Sequence, residues 1–101
     1  MVGLFPLASM EARKLSAWAK ASAVPGRDPN HIRRDAFGWL IVWSEYGDRQ
    51  SVYGWEVDHA QPTILGGASG HSNLRALHWR NNASLGGLLG GLRRRLDSNA
   101  K

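Results

Sequence analysis

The stretch "WEVDHAQP", residues 55–62, carries an apolar, strand-like run into an adjacent Asp and His. Trp55 and Val57 alternate with polar side chains, which is typical of a strand with one buried face. A loop rich in glycine follows, and "HSNLRALHWRNN", residues 71–82, then predicts another short strand and the start of a helix. This order of strand, loop, strand and helix decides the C-terminal part of the fold.

Polar residues in this stretch have the side chains that phosphodiester hydrolysis requires. Histidine serves as a base because much of an unperturbed imidazole is neutral near pH 7, and His59 is the candidate. Asp58 supplies a carboxylate ligand for Mg²⁺ or Mn²⁺, and the amide oxygen of Asn82 is a weaker ligand. If the strands pair and the helix packs across them, Asn82 returns beside Asp58; capping of the helix is its alternative role. Because neighbours on a regular strand point to opposite faces, Asp58 and His59 share a site only if the strand ends or twists there.

Upstream of this stretch the patterns predict a helix and a pair of strands. From Ser9 to about Ala23 the apolar spacing is helical, with Ser9 as the cap, and residues 1–8 are expected to form a loose extension. Residues 37–43, "FGWLIVW", alternate as a strand, and residues 51–59 are predicted as its returning partner. We therefore expect a single α+β domain that takes in all 101 residues.

The composition indicates a basic protein without cysteine. Lys and Arg total 13 against 8 Asp and Glu, and the net charge of +5 favours a polyanionic partner such as DNA. The absence of cysteine excludes disulfides and Cys-ligated structural zinc and agrees with a cytoplasmic location. No apolar run approaches the roughly 20 residues that cross a bilayer, and the N-terminus lacks the basic region of a signal peptide. We expect a cytoplasmic protein that binds DNA and no membrane.

Residues 55–87, "WEVDHAQPTILGGASGHSNLRALHWRNNASLGG", resemble the HNH endonucleases, a family of ββα-metal (His-Me finger) nucleases, in their small stand-alone bacterial or phage form. The shared features are an Asp-His pair, a Pro-containing Gly-Gly loop, Asn-Leu opening the second strand, and Asn at the start of the helix. The resemblance implies a C-terminal ββα-metal motif in which His59 is the general base and Asp58 and Asn82 bind the metal. It also implies that Asn73 bonds across the loop and keeps His59 oriented.

The sequence departs from the family pattern at the zinc ligands and at one basic position. Many relatives hold structural zinc with Cys-X-X-Cys pairs, the second of which would fall at His78 and Asn81. No structural zinc is expected here, so a core rich in tryptophan must hold the hairpin. Relatives often carry Lys three residues after the last ligand, where this chain has Leu85. That change puts the implied contact with phosphate in doubt.

Other residues receive structural or binding roles. The five tryptophans sit at apolar positions and are expected in the core, His78 is expected to pack inside, and Glu56 is expected to point away from Asp58. The basic side chains downstream are candidates for phosphate contacts, although a run of charges is more often a solvated face. These candidates are Arg75, Arg80, Arg93, Arg94 and Arg95.

The resemblance implies an endonuclease that uses Mg²⁺ or Mn²⁺ to hydrolyse phosphodiester bonds of DNA and nicks with low sequence specificity. One alternative is a catalytically weak DNA-binding module, which the apolar Leu85 favours. Another is a nuclease subunit or regulator of a larger phage or toxin machine. Both a protein partner and a homodimer remain open.

Overall fold

The computed structural model describes residues 4–62, 65–67 and 70–88. Strands β1, β2 and β3 form one antiparallel sheet in that order, and β4 and β5 form a separate antiparallel pair. The predicted α+β class is confirmed. The elements are α1 (Leu4–Ala19), β1 (Ser22–Ala23), β2 (Ile32–Arg34), β3 (Leu40–Val42), β4 (Trp55–His59), β5 (Leu74–His78) and α2 (residues 79–88).

Helix α1 includes the segment that the sequence predicts as loose. Its backbone is helical from Leu4, so residues 4–8 continue the helix predicted from Ser9. Pro6 is tolerated because the N–H groups of the first helical turn have no intrahelical acceptor. Ser9 therefore lies inside the helix and does not cap it.

Helix α1 also ends before the predicted Ala23. Arg33 closes its C-terminus, because Nη1 donates hydrogen bonds to the carbonyl oxygens of Trp18, Ala19 and Ala21 at 3.2, 3.3 and 3.1 Å. A cation at this end of a helix satisfies carbonyls that lack an intrahelical donor. The chain then turns at once into β1, which pairs with the strand that carries Arg33.

The predicted pairing of residues 37–43 with residues 51–59 is wrong. β3 is shorter than predicted and pairs with β2, which the sequence leaves unassigned. Gly38 has a positive φ of 88° in the turn between them, a conformation that glycine adopts without steric cost. That turn fixes the hairpin partner of β3 upstream, and β4 is free to pair with β5.

The core lies between α1 and the β4–β5 pair. Trp18, Trp43 and Trp55 form a cluster, which we call the tryptophan cluster, with ring centroids 5.1–5.5 Å apart. Leu74 and Ala76 from β5 pack into the same core. Large aromatic rings in mutual contact bury much apolar area per residue, which suits a small domain.

Tryptophan is not confined to this core. Trp39 has 44% of its surface exposed, so the expectation that every tryptophan is buried is wrong. Trp79, at the start of α2, is half-buried, and its indole Nε1 donates to the carbonyl of Ser51 at 2.8 Å. The exposed ring of Trp39 therefore needs an explanation other than core packing.

Candidate functional site

The β4–β5 pair ends at the predicted Asp-His pair. Asp58 lies opposite Arg75, and His59 lies opposite Leu74. Nε of Arg75 donates to Oδ2 of Asp58 at 3.3 Å, and both side chains are largely shielded from solvent. β4 ends at His59 and the chain bends at Ala60. Because His59 is still paired in the strand, alternation alone places Asp58 and His59 on opposite faces of β4, and only the bend that follows at Ala60 can bring the two neighbours to one site.

Asn73 holds the backbone that follows His59. Its Oδ1 accepts a hydrogen bond from the N–H of Gln61, and its Nδ2 donates to the carbonyl of Gln61, each at 2.9 Å. Its own carbonyl accepts the N–H of Ala60 at 2.6 Å. An amide side chain that binds both backbone groups of one residue imitates a strand partner. Asn73 thus spans the mouth of the loop between β4 and β5.

Helix α1 is attached to the other end of the same loop. Nζ of Lys20 donates to the carbonyl oxygen of His71 at 2.6 Å and to that of Leu74. Residues His71–Asn73 form a single turn of 3-10 helix just before β5. Since one ammonium binds both sides of this turn, Asn73 is presented to the loop by a backbone that is itself held in place.

Glu56 lies beside Asn82, and the expectation that it points away from the site is wrong. Side chains two positions apart on a strand point to the same face, so Glu56 and Asp58 share one face of β4. Nδ2 of Asn82, in the first turn of α2, donates to Oε1 of Glu56 at 2.8 Å. The packing of α2 therefore brings Asn82 to the strand face that carries Asp58, and its contact there is with Glu56.

Arg49 binds the carboxylate of Glu56 from the other side. Its Nε donates to Oε2 at 2.7 Å and its Nη2 to Oε1 at 2.8 Å. These bonds from Arg49 are the main reason that the pKa of Glu56 is lowered, and the bond from Asn82 adds to the effect while partial burial opposes it. The same bonds raise the pKa of Arg49. Glu56 is therefore held as a carboxylate at neutral pH.

The oxygen atoms on this face match the chemistry of a hard divalent cation. Glu56 and Asp58 offer carboxylates and Asn82 offers an amide oxygen, which are donors that Mg²⁺ and Mn²⁺ accept. In the part of the chain that the structure describes, no three His, Cys, Asp or Glu side chains are grouped as a metal site. The amide of Asn82, together with water or substrate oxygens, would have to complete the shell. Arg49 and Arg75 are the counter-ions that a cation would compete with.

Asp35, which the sequence does not single out, joins His78 and Asn81 at the end of β5 and the start of α2. It is buried, and its Oδ2 accepts the backbone N–H of His78 at 2.9 Å and Nδ2 of Asn81 at 2.8 Å. Its Oδ1 accepts the N–H groups of Phe37 and Trp39, both at 2.9 Å. A carboxylate with four N–H donors is a strong local anchor. It fastens the β2–β3 turn to the start of α2.

His78 is buried, as predicted for a packing histidine. Its Nδ1 accepts the N–H of Arg80 at 3.0 Å, so that nitrogen carries no hydrogen. Its Nε2 then donates to the carbonyl of Val52 at 2.8 Å. Both ring nitrogens are engaged in the structural contacts around α2, so the imidazole of His78 is not free to act as a base.

The candidate phosphate-binding arginines differ in their surroundings. Arg75 is engaged by a carboxylate. Arg80 is exposed, and its guanidinium carbon lies 5.1 Å from the ring centroid of Trp79. The remaining candidates, Arg93, Arg94 and Arg95, lie outside the described residues.

Comparisons of the chain with protein-family models, with curated proteins and with solved structures give no significant match. Among the helical residues that the structure describes, no segment has the length and apolar character to cross a bilayer. The geometry of β4, β5 and α2 is therefore the basis for a functional assignment.

Proposed function

We propose that the protein is a divalent-metal-dependent endonuclease that hydrolyses phosphodiester bonds of DNA and nicks with low sequence specificity. The observation that carries the proposal is the β4–β5–α2 unit. There, Asp58 and His59 end one strand, Asn73 bonds across the loop, and Asn82 reaches the strand face of Asp58. These placements support the roles that the HNH resemblance implies.

His59 is the proposed general base. An imidazole nitrogen takes a proton from water while the water oxygen attacks phosphorus and the bond from phosphorus to the 3′-oxygen breaks. The leaving 3′-oxygen takes a proton from solvent water, so the products are a 5′-phosphate and a 3′-hydroxyl. Asn73 is a positioning residue, because it fixes Ala60 and Gln61, the residues that follow the base.

Asp58 and Asn82 are the proposed metal ligands. A bound divalent cation supplies positive charge to the phosphate oxygens and to the leaving 3′-oxygen. Glu56 orients Asn82 through the bond to its Nδ2 and adds a negative charge on the same face. Once Asp58 binds a cation, Arg75 is released to contact phosphate, for which its planar guanidinium is well suited.

The first test is the nicking of supercoiled plasmid by the purified protein in Mg²⁺ or Mn²⁺. We predict that His59→Ala lowers the nicking rate by about 10²–10⁴-fold, which is the usual contribution of a general base. The matched control is His31→Ala, which removes an exposed histidine remote in sequence from β4 and should leave the rate unchanged. Nicking by His59→Ala at the wild-type rate would remove the proposed mechanism.

The second test separates metal binding from catalysis. We predict that Asp58→Ala weakens Mn²⁺ binding at least about 10-fold in calorimetry without DNA, in line with the loss of a charged oxygen ligand. The far-UV circular dichroism spectrum should be unchanged, because the backbone pairing of β4 does not use this side chain. Asp48→Ala, in an exposed turn, is the control. Equal Mn²⁺ affinity in wild type and Asp58→Ala would show that the ligand assignment is wrong.

A catalytically weak DNA-binding module is the second candidate function. The observation in its favour is Leu85, an apolar and half-buried side chain on α2 at a position where relatives often carry Lys. A leucine at this position has no charge with which to contact phosphate. DNA binding without nicking in either metal would support this candidate.

A further inference from the structure

Two aromatic side chains stand out from the surface on the β2–β3 turn. Phe37 has 54% of its surface exposed and Trp39 has 44%. Leaving half of a large ring in water forgoes the stabilisation that burial of that apolar surface would give. The exposure of two such rings on one short turn is therefore best explained if they bind a ligand.

The turn that carries these rings is firmly held. Both N–H groups, of Phe37 and of Trp39, donate to the buried carboxylate of Asp35. The N–H of Asp35 donates to the carbonyl of Trp39 at 2.8 Å, which closes the turn. The backbone that carries the rings is therefore held in place, so a ligand would not have to order it.

One ring contacts an arginine, and the other lines a pocket together with one. The guanidinium carbon of Arg75 lies 5.5 Å from the ring centroid of Phe37, within the range of a cation–π contact. Trp39 and Arg80 line a surface pocket of about 190 Å³ together with Val52 and His78. That volume is several times the roughly 30 Å³ that one water occupies in the liquid. The pocket thus has room for a planar heterocycle beside the indole.

This surface adjoins the candidate site. Arg75 contacts the ring of Phe37 and also donates to Asp58. Exposed aromatic rings that alternate with arginines are the features by which proteins hold unpaired nucleic-acid strands, with bases stacked on the rings and phosphates on the cations. The positive net charge of the chain, +5, complements the same ligand.

We propose that one surface binds unpaired nucleobases of a DNA strand, so that the substrate is single-stranded or locally unpaired DNA. We call this surface the aromatic ledge; it consists of Phe37, Trp39, Arg75 and Arg80. This inference deepens the proposed function and rests on it for the identity of the ligand. The bases stack on the exposed rings, and the strand passes Arg75 on its way to His59.

The test measures binding without cleavage. Fluorescence anisotropy in EDTA compares three labelled ligands of equal length: oligo(dT), a strand of abasic sugar phosphates, and a duplex. The wild-type protein should bind oligo(dT) about 10-fold more tightly than the abasic strand, and more tightly than the duplex. Trp39→Ala and Phe37→Ala should each remove most of that preference, because one base stack contributes about 10-fold or more.

The controls separate stacking from charge and from misfolding. Trp39→Phe should keep most of the preference for bases, whereas Arg80→Ala should weaken binding to all three ligands. Leu15→Ala removes an exposed apolar side chain from α1 and should change neither the preference for bases nor the affinity for the three ligands. Equal binding of oligo(dT) and the abasic strand by the wild type would disprove base binding at the aromatic ledge, even if the protein nicks plasmid. Base-dependent binding by a protein that never nicks would retain the ledge and reject the nuclease.

Discussion

At the scale of single residues, the site depends on two carboxylates that share one face of β4. Glu56 and Asp58 would repel each other if they were left as neighbouring unpaired anions. In this structure each is bound by an arginine, Arg49 and Arg75 respectively. A divalent cation at Asp58 would replace the charge of Arg75 by its own, so we expect metal binding to release Arg75.

The ion pair of Glu56 has a predictable dependence on pH. The folded protein holds the pKa of Glu56 below its ordinary value, which is about 4.3 in an unfolded chain. Its contribution to stability is therefore complete above that ordinary value and is lost as the pH falls through the lower folded value. Glu56→Gln should lower the urea midpoint at pH 7, and the difference from wild type should shrink towards pH 3.

Arg49→Ala provides the matched variant for this measurement. In the background of Arg49→Ala, the further change Glu56→Gln should have a smaller effect at pH 7, because the principal partner of the carboxylate is already gone. A midpoint difference between Glu56→Gln and wild type that is the same at pH 7 and pH 3 would contradict the expected linkage.

The candidate residues were predictable from sequence where the chemistry is local. Asp58, His59 and Asn73 lie at the ends of short patterned strands, and their residue types indicate their roles. Glu56 was misjudged although strand alternation alone assigns it to the face of Asp58. The role of Asp35 could not be predicted from local sequence patterns, because its bond to the N–H of His78 joins residues 43 positions apart.

At the scale of the elements, the described residues of the loop after β4 are bound at several backbone groups. Gln61 is bound on both backbone groups by Asn73, and the N–H of Gly67 donates to the carbonyl of Pro62 at 3.0 Å. A Cβ placed on Gly67 would lie 1.7 Å from the carbonyl oxygen of Gln61. Real atoms do not approach so closely, so this glycine is required by the path of the loop.

Gly67→Ala should therefore destabilise the protein by about 1–3 kcal/mol, which is the usual cost of an added methyl without space. It should also lower plasmid nicking more than it lowers stability, because the displaced Gln61 lies just beyond His59. Gly70→Ala is the control, since its Cβ would meet nothing within 4 Å. Urea unfolding and nicking rates measure the two effects, and equal behaviour of both variants would contradict the close approach.

Sequence patterns predicted some elements better than others for a physical reason. The β4–β5 hairpin and α2 are consecutive in the chain, and their periods are regular, so both were predicted. The partner of β3 was misassigned because apolar alternation in residues 37–43 does not reveal which neighbour pairs with it. The turn at Gly38 decides that choice, and its positive φ is a property of the backbone.

At the scale of the whole molecule, the buried Asp35 connects the two sheets. It binds the β2–β3 turn through Phe37 and Trp39, and the β5–α2 junction through His78 and Asn81. Hydrogen bonds to one buried carboxylate thus hold segments of both sheets together in a chain that has no cysteine.

Asp35→Ala should be among the more destabilising single changes. It leaves several N–H donors without their acceptor, and we expect a loss of about 3 kcal/mol in the free energy of unfolding, measured with urea. Asp28→Ala is the control, because its carboxylate lies in an exposed turn and accepts the N–H of Asn30. A zinc chelator should leave the wild-type midpoint unchanged. A loss for Asp35→Ala no greater than that of the control would refute the anchoring role.

The tryptophan cluster ties the β4–β5–α2 unit to the N-terminal part of the chain. Trp55 belongs to the hairpin, but the rings that cover it, Trp18 and Trp43, come from α1 and from the chain just after β3. A fragment cut out at residue 55 and grafted onto another protein would expose a large indole and lose its support. The hairpin and α2 therefore do not form an independently folding unit. A transfer of this unit to another protein would have to include the N-terminal part of the chain.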